Sequence, residues 1–293
     1  MKIGISLRSG YAPMDARLGA QWMIERARAS AAAGLDSLFV GDHHAVPVPY
    51  YQNVPIIARL LAEWDTRPAG ALFLLPLWHP VLVAEQIGTL ASIAQGPFIM
   101  QCALGGGNEQ FAAFGLTTRD RVARFESSLD TIRRLCAGEA VDDVRIAPVP
   151  TDPLQVWIGA AAAPAVDRAA RLGDAFLIGP EATPAEVARL VDEYRSACAR
   201  HGRDASRIAV RRDIHVGADD ADAERVAGPV VARGYRGFDP SALVTGGPGR
   251  VADAFVALGN MGCTDVIVRH LADEHSEVLR SIERLQGVRT EVQ

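Results

Sequence analysis

The sequence predicts an α/β fold of the (β/α)8 TIM-barrel type, and three observations carry that expectation. Eight short strand-like runs alternate with helical patterns, the connections between most of them are short, and no linker divides the 293 residues. Parallel neighbours need crossover helices, so this alternation implies a parallel sheet covered by helices, and eight repeats favour closure. A doubly wound open sheet is the alternative, but the first strand-to-helix turn lacks the G-x-G-x-x-G of its dinucleotide-binding forms. A single domain over residues 1–293 is expected.

The elements follow in order. Lys2 to Leu7 (KIGISL) is rich in β-branched residues, and Ala16 to Ala33 carries apolar residues at helical spacing until Gly34 stops it. The pattern repeats as strand Ser37 to Gly41 with helix Val54 to Trp64, strand Ala69 to Leu75 with helix Pro80 to Ala94, and strand Phe98 to Leu104 with a helix from about Arg119 to Cys136. An irregular acidic and proline-containing stretch then leads to strand Val156 to Gly159 with helix Pro164 to Leu172, and strand Ala175 to Ile178 with helix Pro184 to His201. Strand Ile208 to Val216, helices near Ala221 to Val231 and Gly249 to Leu258, strand Thr264 to Val268 and helix Asp273 to Leu285 complete the set. Pro80, Pro164 and Pro184 stand at helix starts, where a missing N–H costs nothing.

Composition narrows the chemistry. With 49% hydrophobic and 22% charged residues the chain can bury a large core, which excludes disorder. The net charge of −5 and the absence of a basic stripe argue against a nucleic-acid partner. The longest apolar stretch, Ala69 to Trp78, is interrupted by Pro76 and falls short of the roughly 20 residues that span a bilayer. No signal peptide is recognisable, so a cytoplasmic location is the expectation. Cys102, Cys136, Cys198 and Cys263 are scattered without a CxxC pair, as expected of buried, reduced thiols. Lys2 is the only lysine, and it opens the first strand. Schiff-base and pyridoxal phosphate chemistry and the P-loop, all of which need a placed lysine, are thereby disfavoured.

In a barrel the active site lies at the carboxyl ends of the strands, which directs attention to three segments. After the second strand come Asp42, His43 and His44. A metal site there is disfavoured because neighbouring side chains on a strand point to opposite faces, and no metal is expected. A structural role, with Asp42 capping a turn and one histidine in the core, stays open beside proton transfer or hydrogen bonding at a cofactor. Leu104, Gly105, Gly106, Gly107, Asn108 and Glu109 follow the fourth strand, and the glycines permit a sharp turn and a close approach of backbone to ligand. Simple flexibility is the competing explanation. Gly159, Ala160, Ala161 and Ala162 precede a helix, where small side chains leave N–H groups free for an anion, although close helix-on-strand packing would also select them.

Four segments together, GLDSLFVGDHH (34–44), LLPLWHPVLVAEQIGTL (74–90), ALGGGNEQFAAFG (103–115) and VWIGAAAAPAVDRAARLGDAFLIGP (156–180), resemble the bacterial luciferase-like superfamily over nearly the whole length. The resemblance implies a luciferase-like TIM barrel holding FMN or the deazaflavin coenzyme F420 at the strand ends, with F420 slightly preferred. It implies an oxidoreductase that either transfers hydride with F420 or uses reduced FMN for monooxygenation of a small organic substrate. By the same resemblance His43 is the expected general acid or base beside Asp42, and Glu109 a second proton-transfer group. Ala71, Leu72, Leu104, Gly105, Gly106, Gly107, Gly159, Ala160, Ala161, Ala162, Gly179 and Pro180 would contact the cofactor, and a non-proline cis peptide would fall within Ala71 to Phe73. A homodimer and a separate flavin or F420 reductase are the partners it implies. The alternatives are a flavin-binding barrel without turnover and a sugar-phosphate isomerase or lyase.

Overall fold

The computed structural model describes residues 1–11 and 14–292. Its strands are β1 (Lys2–Leu7), β2 (Ser37–Val40), β3 (Ala69–Leu74), β4 (Phe98–Ala103), β5 (Gln155–Gly159), β6 (Ala175–Ile178), β7 (Ile208–Val216), β8 (Val244–Gly246) and β9 (Asp265–His270). The helices are α1 (Ala16–Ala32), α2 (Asn53–Leu60), α3 (Pro80–Ile93), α4 (Asn108–Ala112), α5 (Arg121–Cys136), α6 (Ala163–Leu172), α7 (Pro184–Arg200), α8 (Asp220–Ala232), α9 (Pro248–Asn260) and α10 (His275–Val292). The strand order is β6-β5-β4-β3-β2-β1-β9-β7-β8 with β6 also pairing β7, which returns eight strands to their start as a (β/α)8 barrel.

Two differences from the sequence expectation are informative. The ninth strand, β8, is only three residues long and pairs in parallel with the last residues of β7, Ile214 to Val216. Its Val-Thr-Gly is too short to show a period of two, so no pattern marks it. The cis peptide expected within Ala71 to Phe73 is absent: among the described residues the cis bond is Ala147–Pro148. All six residues of β3 find parallel partners on β4, from Ala69 opposite Phe98 to Leu74 opposite Ala103, and an unbroken trans strand is what such a ladder requires.

The chain falls into two compact units. One comprises residues 8–24 and 39–156. Here β3 and β4 approach so closely that a Cβ on Gly70 would meet the carbonyl of Ile99, which is why that strand interior carries glycine. Leu74, Leu77 and Phe111 form a buried cluster flanked by Leu72, Trp78, Ala103 and Leu116. Helix α3 starts at Pro80 with His79 as its N-cap.

The other unit comprises residues 1–7, 25–38 and 157–293, with residue 293 lying outside the described set. Its ladders β1–β9, β7–β9, β6–β7 and β5–β6 are all parallel. Thr183 and Glu186 form a capping box before α7, with Pro184 in the first turn, so the helix start is fixed by two reciprocal bonds. That helix lays Tyr194 on Phe176 of β6, rings stacked at 4.8 Å, and truncating the fully buried Phe176 to Ala would cost about 3–5 kcal/mol. All four cysteines are buried and free; burial pushes the Cys136 thiol up to about 12 and that of Cys263 to about 11.

Candidate active site

The residues after β2 build a compact polar cluster around Asp42. Its side chain is fully buried, and Oδ2 accepts from the backbone N–H of Leu74 and from Nε1 of Trp78, both at 2.8 Å. Oδ1 lies 3.0 Å from Nε2 of His44, although without hydrogen-bond alignment. The His44 ring is packed edge-on against Trp78 and Phe114, with centroids 5.3 and 5.2 Å away. Ala45, the next residue, has φ +52°, a left-handed conformation that costs a non-glycine residue roughly 1 kcal/mol or more. The strain lies immediately beside the polar cluster.

His43 goes the other way. Its ring is exposed, 5.8 Å from that of Tyr50. Gln110, buried at the end of the glycine loop, settles its tautomer. Nε2 of Gln110 lies 3.0 Å from both the carbonyl oxygen of His44 and Nδ1 of His43. Only the amide NH2 can face that carbonyl, so the same group donates to Nδ1, and neutral His43 must carry its proton on Nε2. Partial burial and the neighbouring His44 push the His43 pKa down against the pull of Asp42, so the ring is neutral at pH 7. Among the described residues Nε2 makes no hydrogen bond.

The loop between β4 and α4 supplies the space. Gly105 and Gly107 have φ +70° and +87°, which only glycine adopts without strain. A Cβ at Gly106 or Gly107 would meet nothing within 4 Å, so these residues border open volume. Arg121 anchors the loop by donating to the Gly105 carbonyl at 3.1 Å. Glu109 is exposed in the first turn of α4, and no hydrogen bond or ion pair joins it to Asp42 or His43. Ala71 is fully buried, while Leu72 and Leu104 are half-buried.

In the other unit, Gly159 ends β5 and Ala160 donates to the Leu177 carbonyl at 3.3 Å. Ala161 and Ala162 are exposed, and Ala162 caps the ten-residue helix α6 without any side-chain bond. Pro164 has no N–H, and the N–H groups of Ala165 and Val166 donate to the Ala162 carbonyl at 2.8 and 2.9 Å, which leaves Ala163 as the first-turn N–H without a backbone acceptor among the described residues. Gly179 is half-buried and Pro180 buried.

Sequence reasoning missed a third feature. On β7, Asp213 is buried and accepts from Tyr235 Oη at 2.8 Å, Arg236 Nη1 at 2.9 Å and, at 3.4 Å, Arg211 Nη2. Burial opposes its ionisation, but Arg211, Arg269 and Arg236 overcome that penalty and hold the carboxyl below its usual range. Arg269 stands opposite Asp213 in the β7–β9 register, and burial lowers its guanidinium to about 10. The signal was present: an Arg-Arg-Asp run inside an otherwise apolar strand is anomalous by composition alone. Among the described residues no group of three His, Cys, Asp or Glu is placed to hold a metal ion, and no helix is long and apolar enough to cross a membrane.

Within the unit of residues 8–24 and 39–156, open space beside Gly106 and Gly107 and a neutral imidazole are features that a redox cofactor could use. Comparisons with known proteins agree with that chemistry. The chain is 25% identical over 243 residues to an F420-dependent glucose-6-phosphate dehydrogenase of Nakamurella multipartita, covering 75% of this chain and 70% of the relative. The monooxygenase RslO1 from Streptomyces bottropensis superposes with a TM-score of 0.86 at 19% identity over 98% of each chain. The oxygenating constituent of 3,6-diketocamphane monooxygenase from Pseudomonas putida, solved with FMN, gives 0.81 at 18% identity over 98% of this chain and 97% of that one. The family model for luciferase-like monooxygenases matches residues 1–266. The chain therefore belongs to the luciferase-like monooxygenase family and is an oxidoreductase.

Proposed function

We propose that this protein is an F420-dependent oxidoreductase that moves a hydride between the deazaflavin and a small organic substrate, with His43 hydrogen-bonded to the reacting oxygen. The observation that carries the reading is the neutral His43 ring, whose Nδ1 is occupied by Gln110 and whose Nε2–H is free. A bound deazaflavin supplies hydride chemistry; the protein supplies binding, orientation and polarisation. Nε2–H polarises a substrate carbonyl as a neutral donor, and the oxyanion that forms on reduction is stabilised by the same bond. Full protonation of the ring would place a proton on Nδ1 against the Gln110 amide, so His43 serves as a donor rather than as a proton store.

Asp42 acts one step removed. By holding Leu74 N–H, the Trp78 indole and His44, it fixes the wall against which the cofactor ring would lie. Gly105, Gly106 and Gly107 let the ring approach backbone, with Leu72 and Leu104 as its apolar support and Ala71 packed behind. Gly159, Ala160, Ala161, Ala162, Gly179 and Pro180 are assigned to the phosphate-bearing tail, where the main-chain N–H groups of Ala161 and Ala162 would serve in a chain whose only lysine is Lys2. Glu109 is assigned a second, solvent-side proton-transfer role.

The preference for F420 over FMN is supported by the F420-dependent glucose-6-phosphate dehydrogenases, at 25–27% identity, among the chain's relatives. Fluorescence titration of the purified protein with F420 and, separately, FMN tests the choice. Quenching of F420 at micromolar protein supports it. Tight FMN binding with no response from F420 would replace it by FMN-dependent monooxygenation, and no response from either would remove the redox reading altogether.

A further inference from the structure

Three arginines and one aspartate gather on a single face of the β7–β9 ladder. Arg212 lines a hollow against α8 and α9, so alternation sends Arg211 and Asp213 to the opposite face, and Arg269, paired in register with Asp213, joins them there. Arg236, in the short turn after α8, reaches the same carboxylate. Asp213 neutralises one of these cations, and two positive charges are left over. Both of its oxygens are engaged: Oδ2 accepts from Tyr235 and Arg236, and Oδ1 lies 3.4 Å from Arg211 Nη2. Arg269 has no share in those bonds. Among the described residues it makes no hydrogen bond or ion pair, and only Nε of its half-buried guanidinium is sealed from solvent, so the fork of Nη1 and Nη2 is accessible and unpaired. Burial and the like charge of Arg211 lower this group to about 10, which still leaves it cationic at neutral pH. A half-buried cation beside two others is unfavourable until an anion joins it.

The rim of the cluster is open. Side-chain exposure rises from 0% at Asp213 to 21% at Arg211 and 40% at Arg236. Arg236 has φ +52°, a strained conformation for a residue with a side chain. Its guanidinium lies over the Phe238 ring, 4.6 Å from the centroid, and that ring meets Tyr235 edge-on at 6.0 Å. An oxyanion can accept from the guanidinium forks while an attached organic body covers the rings. We propose that Arg211, Arg236 and Arg269 form a binding site for a small organic dianion, a phosphate monoester or a dicarboxylate, with Asp213 positioning the arginines. None of these residues belongs to the Asp42–Gln110 cluster, so the test needs no cofactor.

Calorimetric titration of the full chain at low ionic strength and about pH 8, with methyl phosphate, malonate and, as the monoanionic control, acetate, tests the site. At least one dianion should bind about tenfold or more tightly than acetate, the difference expected for one further hydrogen bond between charged groups. The tighter dianion names the head group: methyl phosphate a phosphate monoester, malonate a dicarboxylate. Arg269→Met should remove the preference over acetate, and because it deletes a cation with no protein partner it should melt no earlier than the wild type. Arg236→Gln, on the exposed rim, should weaken dianion binding severalfold and carries the test should the first variant fail to fold. No dianion binding at millimolar concentration, acetate binding as tight as either dianion, or dianion affinity unchanged in Arg269→Met or in Arg236→Gln would each overturn the proposal.

Discussion

Asp42 and Asp213 are both fully shielded from water, yet they are held in opposite ways. Asp213 is surrounded by cations, with Arg211 and Arg236 on its oxygens and Arg269 opposite it in register. Asp42 meets only a backbone amide, an indole and an imidazole. A carboxylate neutralised by arginines serves the architecture, because its charge is consumed in place. A carboxylate that no arginine contacts keeps its field for what lies beside it, here the two histidines that follow it in the chain. The difference separates a carboxylate that holds arginines in place from one that acts on its neighbours.

Breaking the two clusters should therefore give different losses. Asp213→Asn takes the buried counter-charge from half-buried Arg211 and Arg269 and exposed Arg236 and should cost about 3 kcal/mol in urea unfolding. Asp42→Asn, which removes a carboxylate that no arginine contacts, should cost only about 1–2 kcal/mol. Equal losses would erase the distinction.

The β7–β9 side should also carry an acid-sensitive term. Burial, Arg26 and His215 push His270 down to about 3 against the ordinary 6.5. The unfolded chain then binds a proton that the folded chain refuses, so this contribution is intact above about pH 6.5 and is lost as pH falls toward 3. Urea unfolding between pH 7 and 5 should show up to about 1.4 kcal/mol per pH unit from this group, and His270→Leu should flatten that slope.

On the other side of the comparison, His43→Ala should leave stability nearly unchanged because the ring is exposed, while slowing turnover at saturating substrate by about a hundredfold. Unaltered kcat would strip His43 of its role. Trp78→Phe deletes one donor to Asp42 and should lower stability by about 1 kcal/mol, with a further loss in cofactor affinity measured by fluorescence. The smallest stability effect belongs to Gly106→Ala, whose added methyl meets no protein atom within 4 Å: within about 0.5 kcal/mol, but with weakened cofactor binding. A stability loss larger than that would mean the loop is packed rather than open.

Much of this was legible in the sequence because barrel strands and helices announce themselves by period. Lys2–Leu7, Ala175–Ile178 and Ile208–Val216 end where the pattern ends. Helix α4 escaped because five residues beginning after three glycines carry no periodicity, and Gln110, which fixes the His43 tautomer, sits inside it. The Asp-His-His run marked the site, but no spacing rule could say that His44 rather than His43 would turn toward Asp42, since both lie beyond the last residue of β2. The arginines around Asp213 come from residues as distant as Arg236 and Arg269, and only tertiary packing assembles them.

The most direct test of the account follows the His43 ring nitrogens and the amides of Gly105, Gly106 and Gly107 by NMR as F420 is added at neutral pH, with His43→Ala used for assignment. The account predicts a neutral ring protonated on Nε2 before addition, and shifts at His43 and the glycine amides as the cofactor binds. A doubly protonated or Nδ1-protonated ring, or F420 binding that leaves those signals unmoved, would contradict it.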